Sequence, residues 1–480
     1  MNKYFTLLFL LFLSSVTFSQ EVQVSKRVSL NDKSTVNLIG KVGDNLLVHK
    51  KNPESHYVLI YDNEVQEKVR KEIEFASNRA RVQRIVAHKN KFTILYKYYK
   101  RSKIHIVAHQ YDENAELLDS TYLKIVDLKG NTNFARKIEL SQNKRYALIH
   151  DTDPDSRLFT MVFDLKTMKI LWEKTFRPKE VDYEKEFHQI LIDNNGNAYF
   201  LFAKDNKQSK RSRSRFSIFQ YQAAENKARQ YDISTEGYPW YDILFSYDNL
   251  NQRIVGAGLY SENRFGEANG VSFIKFNPND DAAVTRGYTP FDKTYLVTVL
   301  GKKRGNRIDG FGDVDIREVI LRSDGGLLLV AERNYYYTRR THGLNTGYEP
   351  INRTGGGYNI VDYYFNDILL YSFNSEGELE WKDLLRKRQT SQDDSGQYSS
   401  FFLLKTKKNL RFLYNDEIQF DTNVYEYVVS GRGPFNRNNV LNTSREKLFI
   451  IMQEAIQVSA NAAIFPSVRR SDFKLVKISF

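Results

Sequence analysis

The sequence predicts an all-β chain folded as a single β-propeller of seven blades, each of four antiparallel strands, with long loops gathered on one face. Three observations predict it. Short apolar runs follow polar turns at a recurring interval, two distant stretches repeat one hairpin pattern, and no proline- or serine-rich linker divides the 480 residues, which hold nine prolines. Hydrophobic residues at 41%, with 31 Tyr and 32 Phe, supply ample core for one large body.

The second strand of each unit is the clearest. It is expected at Leu46–His49 after GDN, Phe92–Tyr96 after KNK, Tyr146–His150 after QNK, Ala198–Ala203 after NNG, Ile254–Leu259 after NQR, Leu327–Ala331 after DGG and Leu410–Tyr414 after KKN. Those seven turns begin about 45 to 55 residues apart in the first half and farther apart later, a spacing that suits four-stranded blades. A second hairpin follows each, clearest in FTMVFDLKTMKILWEKTF at 159–176 and DILLYSFNSEGELEWKDLL at 367–385, whose last strands carry Trp172 and Trp381. Third strands are expected at Tyr57–Tyr61, Ile104–Tyr111, Phe216–Tyr221 and Val271–Phe276. The unit therefore reads strand, turn, strand, loop, strand, turn, strand.

Over most of residues 30–480 this pattern resembles the loosely related propeller repeats of secreted Bacteroidota proteins, whose blades read as an apolar strand, an SNG-like turn and a Trp-containing outer strand. That resemblance implies a fold and leaves the function to the site. An outer-membrane barrel is suggested by the aromatic content and by the alternating FKLVKISF at 473–480, but LLLVA at 327–331 is apolar on both faces, as a strand buried between sheets should be. Paired sandwiches fit the repeat spacing less well. The stretch SREKLFIIMQEAIQV at 444–458 could form a helix by pattern, although a third strand of the last blade is favoured.

Residues 1–20, with Lys3 ahead of an apolar run from Tyr4 to Leu13 and a small polar end, read as a secretory signal peptide, leaving a propeller domain at 21–480. The chain has no cysteine, hence no lipid tether at a cleavage site, disulfide or thiolate-based zinc site. No later segment is long and apolar enough to span a membrane as a helix. The formal net charge of +13, or +12 without Lys3, points to acidic partners, and export argues against nucleic acid.

In a propeller the loop between strands two and three opens on the same face as the blade-to-blade connection. Here those positions hold KKNPESH at 50–56, KYYKRSK at 97–103, DTDPDSR at 151–157, KDNKQSKRSRSR at 204–215, SENRFGEAN at 261–269, GKKRGNRIDGFGD at 301–313 and two long insertions at 334–366 and 415–446. The expected working face is basic and rich in tyrosine, types that dominate binding hot spots. Tyr335, Tyr336, Tyr337, Arg339 and Arg340 form the leading cluster, supported by Arg211, Arg213, Arg215, Lys100 and Arg101. Taken singly, each such loop is explained as well by solvated charge.

Catalytic motifs are wanting. Asp151, Asp153 and Asp155 alternate as in a calcium loop, but Ser156 and Val162 stand where glycine and glutamate are required, and Asp309, Asp313 and Asp315 are no clearer. Neither Gly355–Gly357 nor GKKRGNR at 301–307 matches a nucleotide loop, and there is no Gly-x-Ser-x-Gly elbow. No cofactor or metal is expected. A carboxylate pair converging from different blades would leave no local motif.

The expected function is that of a non-catalytic periplasmic interaction module engaging an envelope protein or complex, since the chain ends in a strand with no sorting domain after it. Compartment, size and a broad basic face would suit an accessory of the type IX protein-export machinery, whose translocon associates with soluble periplasmic proteins, one of which plugs the channel. The alternative is a propeller that binds an anionic glycan or hydrolyses one at a central carboxylate pair.

Overall fold

A computed structural model describes residues 20–127, 137–152, 157–206, 214–262, 266–340, 359–418, 423–431, 433 and 435–480. Residues 1–19 of the expected leader, Arg211, Arg213, Asp153, Asp155 and Gly355–Gly357 lie outside these residues. The chain is an all-β propeller of four-stranded antiparallel blades, and it has eight blades rather than seven. Blades 1 to 7 are successive meanders at 35–73, 81–127, 138–176, 187–234, 240–290, 314–385 and 402–442.

The eighth blade is assembled from both ends of the chain. Ile456–Gln457, Ala462–Arg469 and Asp472–Ser479 supply its first three strands, and Glu21–Val24 adds the fourth, with Glu21 opposite Ser479 and Val24 opposite Val476. Pairing of the N-terminal strand covers the outer edge of Asp472–Ser479 and ties the two ends of the chain into one blade. The stretch 444–458 is thus neither a helix nor a third strand. It makes a single bridge at Ile450, a 3₁₀ turn at Met452–Glu454 and the short inner strand Ile456–Gln457, burying Leu448, Ile450 and Met452 between blades 7 and 8.

All seven expected second strands are present, and their runs are apolar on both faces because each sheet packs against two neighbours. Ile106 and Leu95 of blade 2, for example, share a core with Ile149 and Phe163 of blade 3. Several turns between third and fourth strands owe their geometry to an Asp or Asn side chain that takes backbone amides ahead of it. Asp62 accepts from Gln66, Asp112 from Asn114 and Glu116, and Asn374 from Glu376 and Glu378, all at 2.8–3.1 Å. The chain must then turn left-handed, which Gly377 does freely at φ 87° and Val65 does at φ 62° under complete burial.

Trp172 extends from the outer strand of blade 3 to donate its Nε1–H to the Gly196 carbonyl of blade 4 at 2.9 Å. At the axis, side chains occupy the unpaired edges of the first strands. Gln189 bonds both the amide and the carbonyl of Phe245 at 2.8 Å, Gln457 does the same to Lys405, and Asp242 accepts from the Ile316 amide at 2.9 Å.

The connection from blade 5 to blade 6 departs from the expected loop. Lys293–Leu300 is a helix capped by Asp292, whose carboxylate accepts from Tyr295 N at 2.7 Å, and Lys302–Gly305 forms a second turn. A Cβ on Gly305 would lie 2.5 Å from the Val297 backbone, so only glycine permits this close packing.

Candidate interaction surface

Because the four strands of a blade alternate in direction, the loops joining strands two and three emerge on the same face as the blade connections. On that face the sequence-predicted cluster lies on an arm, where a loop was expected. The second strand of blade 6 runs through Leu327–Arg340 and the third through Asn359–Phe373, pairing in register from Asn334–Phe365 to Arg340–Asn359, well past the end of the blade's other strands. Gln389–Gln392 adds a further strand along Asp362–Phe365. The aromatic and β-branched residues on both sides favour this pairing over an irregular loop.

Alternation along the arm places tyrosines on both of its faces. Tyr335 stacks on Tyr364 with ring centroids 4.6 Å apart, while Tyr336 faces Tyr363 on the other side at 6.3 Å. Tyr336 is 71% exposed and Tyr337 62%. Arg339, by contrast, is engaged internally, its Nε 2.7 Å from Asp362, whose carboxyl is held below its ordinary value by that hydrogen bond and charge. Arg340 is the last described residue of the strand.

The supporting basic residues divide in two. Lys100 and Arg101 are exposed at the hairpin tip of blade 2, with Arg101 left-handed at φ 49°. Arg215 instead opens the strand Arg215–Gln222 and is clamped by Asp205 at 2.8 Å and Asp232 at 2.7 Å.

Sequence reasoning missed what anchors the arm. Glu332 sits at its root, fully buried, with Lys387 Nζ at 2.6 Å, the Arg317 guanidinium at 2.8 Å and the Ser400 hydroxyl donating at 2.7 Å. Lys387, also buried, donates onward to Gln389 at 2.9 Å and the Phe365 carbonyl at 3.2 Å. Burial pushes the Lys387 ammonium down from its ordinary value, and the Glu332 carboxylate opposes that shift. Four residues from four segments of chain thus tie the arm to blades 6 and 7, and their sequence separation left no local signal.

The axial cavities bear on hydrolytic chemistry, which needs two carboxylates flanking a bond. One cavity of about 680 Å³, lined by first strands of blades 6 to 8, carries Lys144, Arg317 and Lys405 but a single carboxylate, Glu318, which pairs with Lys405. The other, about 290 Å³ between blades 3 and 5, carries Glu139 with Gln142, Gln189, Tyr247 and Asn249. Asp309 pairs with Lys293 at 2.8 Å and Asp315 accepts from Asn334 at 2.9 Å, and among the described residues no three His, Asp or Glu gather as metal ligands.

No protein-family model matches the sequence, and no curated protein does. Among solved structures, it is similar to the β-propeller domain of the Trilobed protease from Pyrococcus furiosus, at 10% identity and a TM-score of 0.39 over 85% of this chain and 99% of that one. Porphyromonas gingivalis dipeptidyl peptidase 4 is similar at 10% identity and a TM-score of 0.43, over 90% of this chain and 56% of the peptidase. The uncharacterized protein lmo1340 from Listeria monocytogenes gives 7% identity and a TM-score of 0.37 over 78% and 85%. At such identities the likeness concerns the fold alone. No helix among the described residues is long and apolar enough to cross a membrane.

Proposed function

We propose that this protein is a non-catalytic, exported interaction module that presents the tyrosine arm of blade 6 to another envelope protein. The observation carrying this reading is the pairing of exposure with rigidity. Tyr336 and Tyr337 stand in solvent on a strand whose root is fixed by the Glu332–Lys387–Arg317 network. Aromatic side chains held in place lose little entropy on binding, which is the property of an anchor residue. Lys100 and Arg101 on the same face would steer an acidic partner toward the arm.

A periplasmic accessory of the type IX protein-export translocon is the specific role we assign to it. The leader expected from the sequence, the size of the chain and the cationic residues of that face support that assignment. The test is affinity capture of the tagged protein from cross-linked native envelopes, beside a Tyr336→Ala/Tyr337→Ala variant that leaves the arm's ladder intact. Stoichiometric recovery of translocon subunits, lost in the variant, is the expected result. Capture of a different protein would sink the translocon assignment alone, and capture unaffected by the variant would sink the arm.

A further inference from the structure

The eighth blade, absent from the sequence-level count, carries a second site on the same face. Its two-residue turn at 470–471 joins the second and third strands, and the stretch 443–455 enters from blade 7 beside it. Between them lies a groove of about 550 Å³ lined by six cationic side chains, Arg27, Arg445, Lys447, Arg469, Arg470 and Lys474. Two carboxylates share it. Asp472 lies 3.4 Å from Arg27, and Glu446 lies 3.8 Å from Lys474.

That leaves Arg445, Lys447, Arg469 and Arg470 with no carboxylate within ion-pair distance among the described residues. Arg469 rests over the Phe449 ring at 5.1 Å, which directs it without neutralising it. Ser467 in the groove wall is 3% exposed. Its Oγ accepts from Phe449 N at 2.8 Å, while its hydroxyl hydrogen has no acceptor among the described residues. A concave site with about four uncompensated positive charges and an unused buried donor is electrostatically incomplete.

We infer that this groove binds a group bearing two phosphates. Each phosphomonoester carries roughly −1.5 to −2 at neutral pH, so two match the uncompensated charge. The guanidinium fork suits phosphate oxygens, and the volume falls within the range of small-molecule sites. The ligand can be a soluble bisphosphate or a bisphosphorylated lipid headgroup, which share this chemistry. The inference rests on blade 8 alone and stands or falls separately from the arm.

The test is calorimetric titration of the full chain with fructose 1,6-bisphosphate and, for comparison, inorganic phosphate. Co-sedimentation with phosphatidylcholine vesicles, with and without a bisphosphorylated glycolipid, is run in parallel. The expected result is one bisphosphate site, at least tenfold tighter than for phosphate, weakened roughly 10- to 100-fold by Arg445→Ala/Arg470→Ala and unchanged by Lys408→Ala on the opposite face. Binding of the doped vesicles as well identifies a lipid source, and binding of the soluble probe alone identifies a free ligand. An absence of binding in both assays, or affinity indifferent to the double variant, overturns the inference. Since all three substituted side chains are exposed, an unchanged melting temperature shows that the variants remain folded.

Discussion

Acidification should destabilise this protein steeply, because several histidines are folded into it as neutral rings. His49 and His56 are buried in blade 1 with His49 Nε2 3.0 Å from His56 Nδ1, so one ring must donate and the other accept. A second proton would set two N–H groups against each other. Burial, together with the charges of His56 and Lys51, pushes His49 down to about 3, and burial pushes His56, His109 and His150 down to about 4. His109 is held between the Tyr96 and Tyr111 hydroxyls, and His150 faces that of Tyr183. In the unfolded chain each would titrate near 6.5. Their folded values being depressed, the stabilisation is complete above about pH 6.5 and is lost as the pH falls toward the folded values. Well inside that window each ring removes about 1.4 kcal/mol per pH unit, and four remove on the order of 5. A domain's whole stability is about 5–15 kcal/mol, so unfolding should set in between about pH 6 and pH 4. Thermal melts from about pH 8 to pH 4 measure this, and His49→Leu/His56→Leu should lower the slope below pH 6 by roughly a third to a half, since burial also holds His88, His105 and His188 below their ordinary value. A melting temperature flat across that range, or an unchanged slope in the double variant, would refute the reasoning.

Glu332→Gln should destabilise by about 3–5 kcal/mol in guanidinium unfolding, because it strands buried Lys387 beside Arg317. Lys387→Met should cost less, since Glu332 keeps Arg317 and Ser400, and the order of the two variants is the checkable point. Trp172→Phe removes the bond to Gly196 that links blades 3 and 4 and leaves a buried carbonyl short of a donor, for an expected loss of about 1–3 kcal/mol in the same assay.

Seven blades were legible because each second strand is an apolar run behind a polar turn. The eighth hid for physical reasons. Its second strand, Ala462–Arg469, contains Pro466, which ordinarily argues against a sheet interior, and its first strand is two residues long. Its fourth strand comes from residues 21–24, so no closing hairpin follows FKLVKISF. Pro466 is accommodated because the short first strand pairs only with Ala463 and Ile464, and beyond it the Ile451 amide uses only the Pro466 carbonyl, at 2.9 Å, so no ladder bond needs the missing N–H. The aromatic cluster was found from composition and position, yet its form was not. YYYTRR becomes a strand only through pairing with NIVDYYF across an insertion. Arg215 shows the opposite limit, since Asp232, seventeen positions on, neutralises it across a strand pair.

The central claim is that the face bearing the arm contacts a protein partner. The most direct measurement places a photo-crosslinking residue at Tyr336, or at Leu250 on the opposite face, which is 74% exposed, and irradiates living cells. One discrete adduct from position 336 and none from 250 is the result expected here. Equal adducts from both positions, or an adduct from 250 alone, would contradict the assignment of the working face.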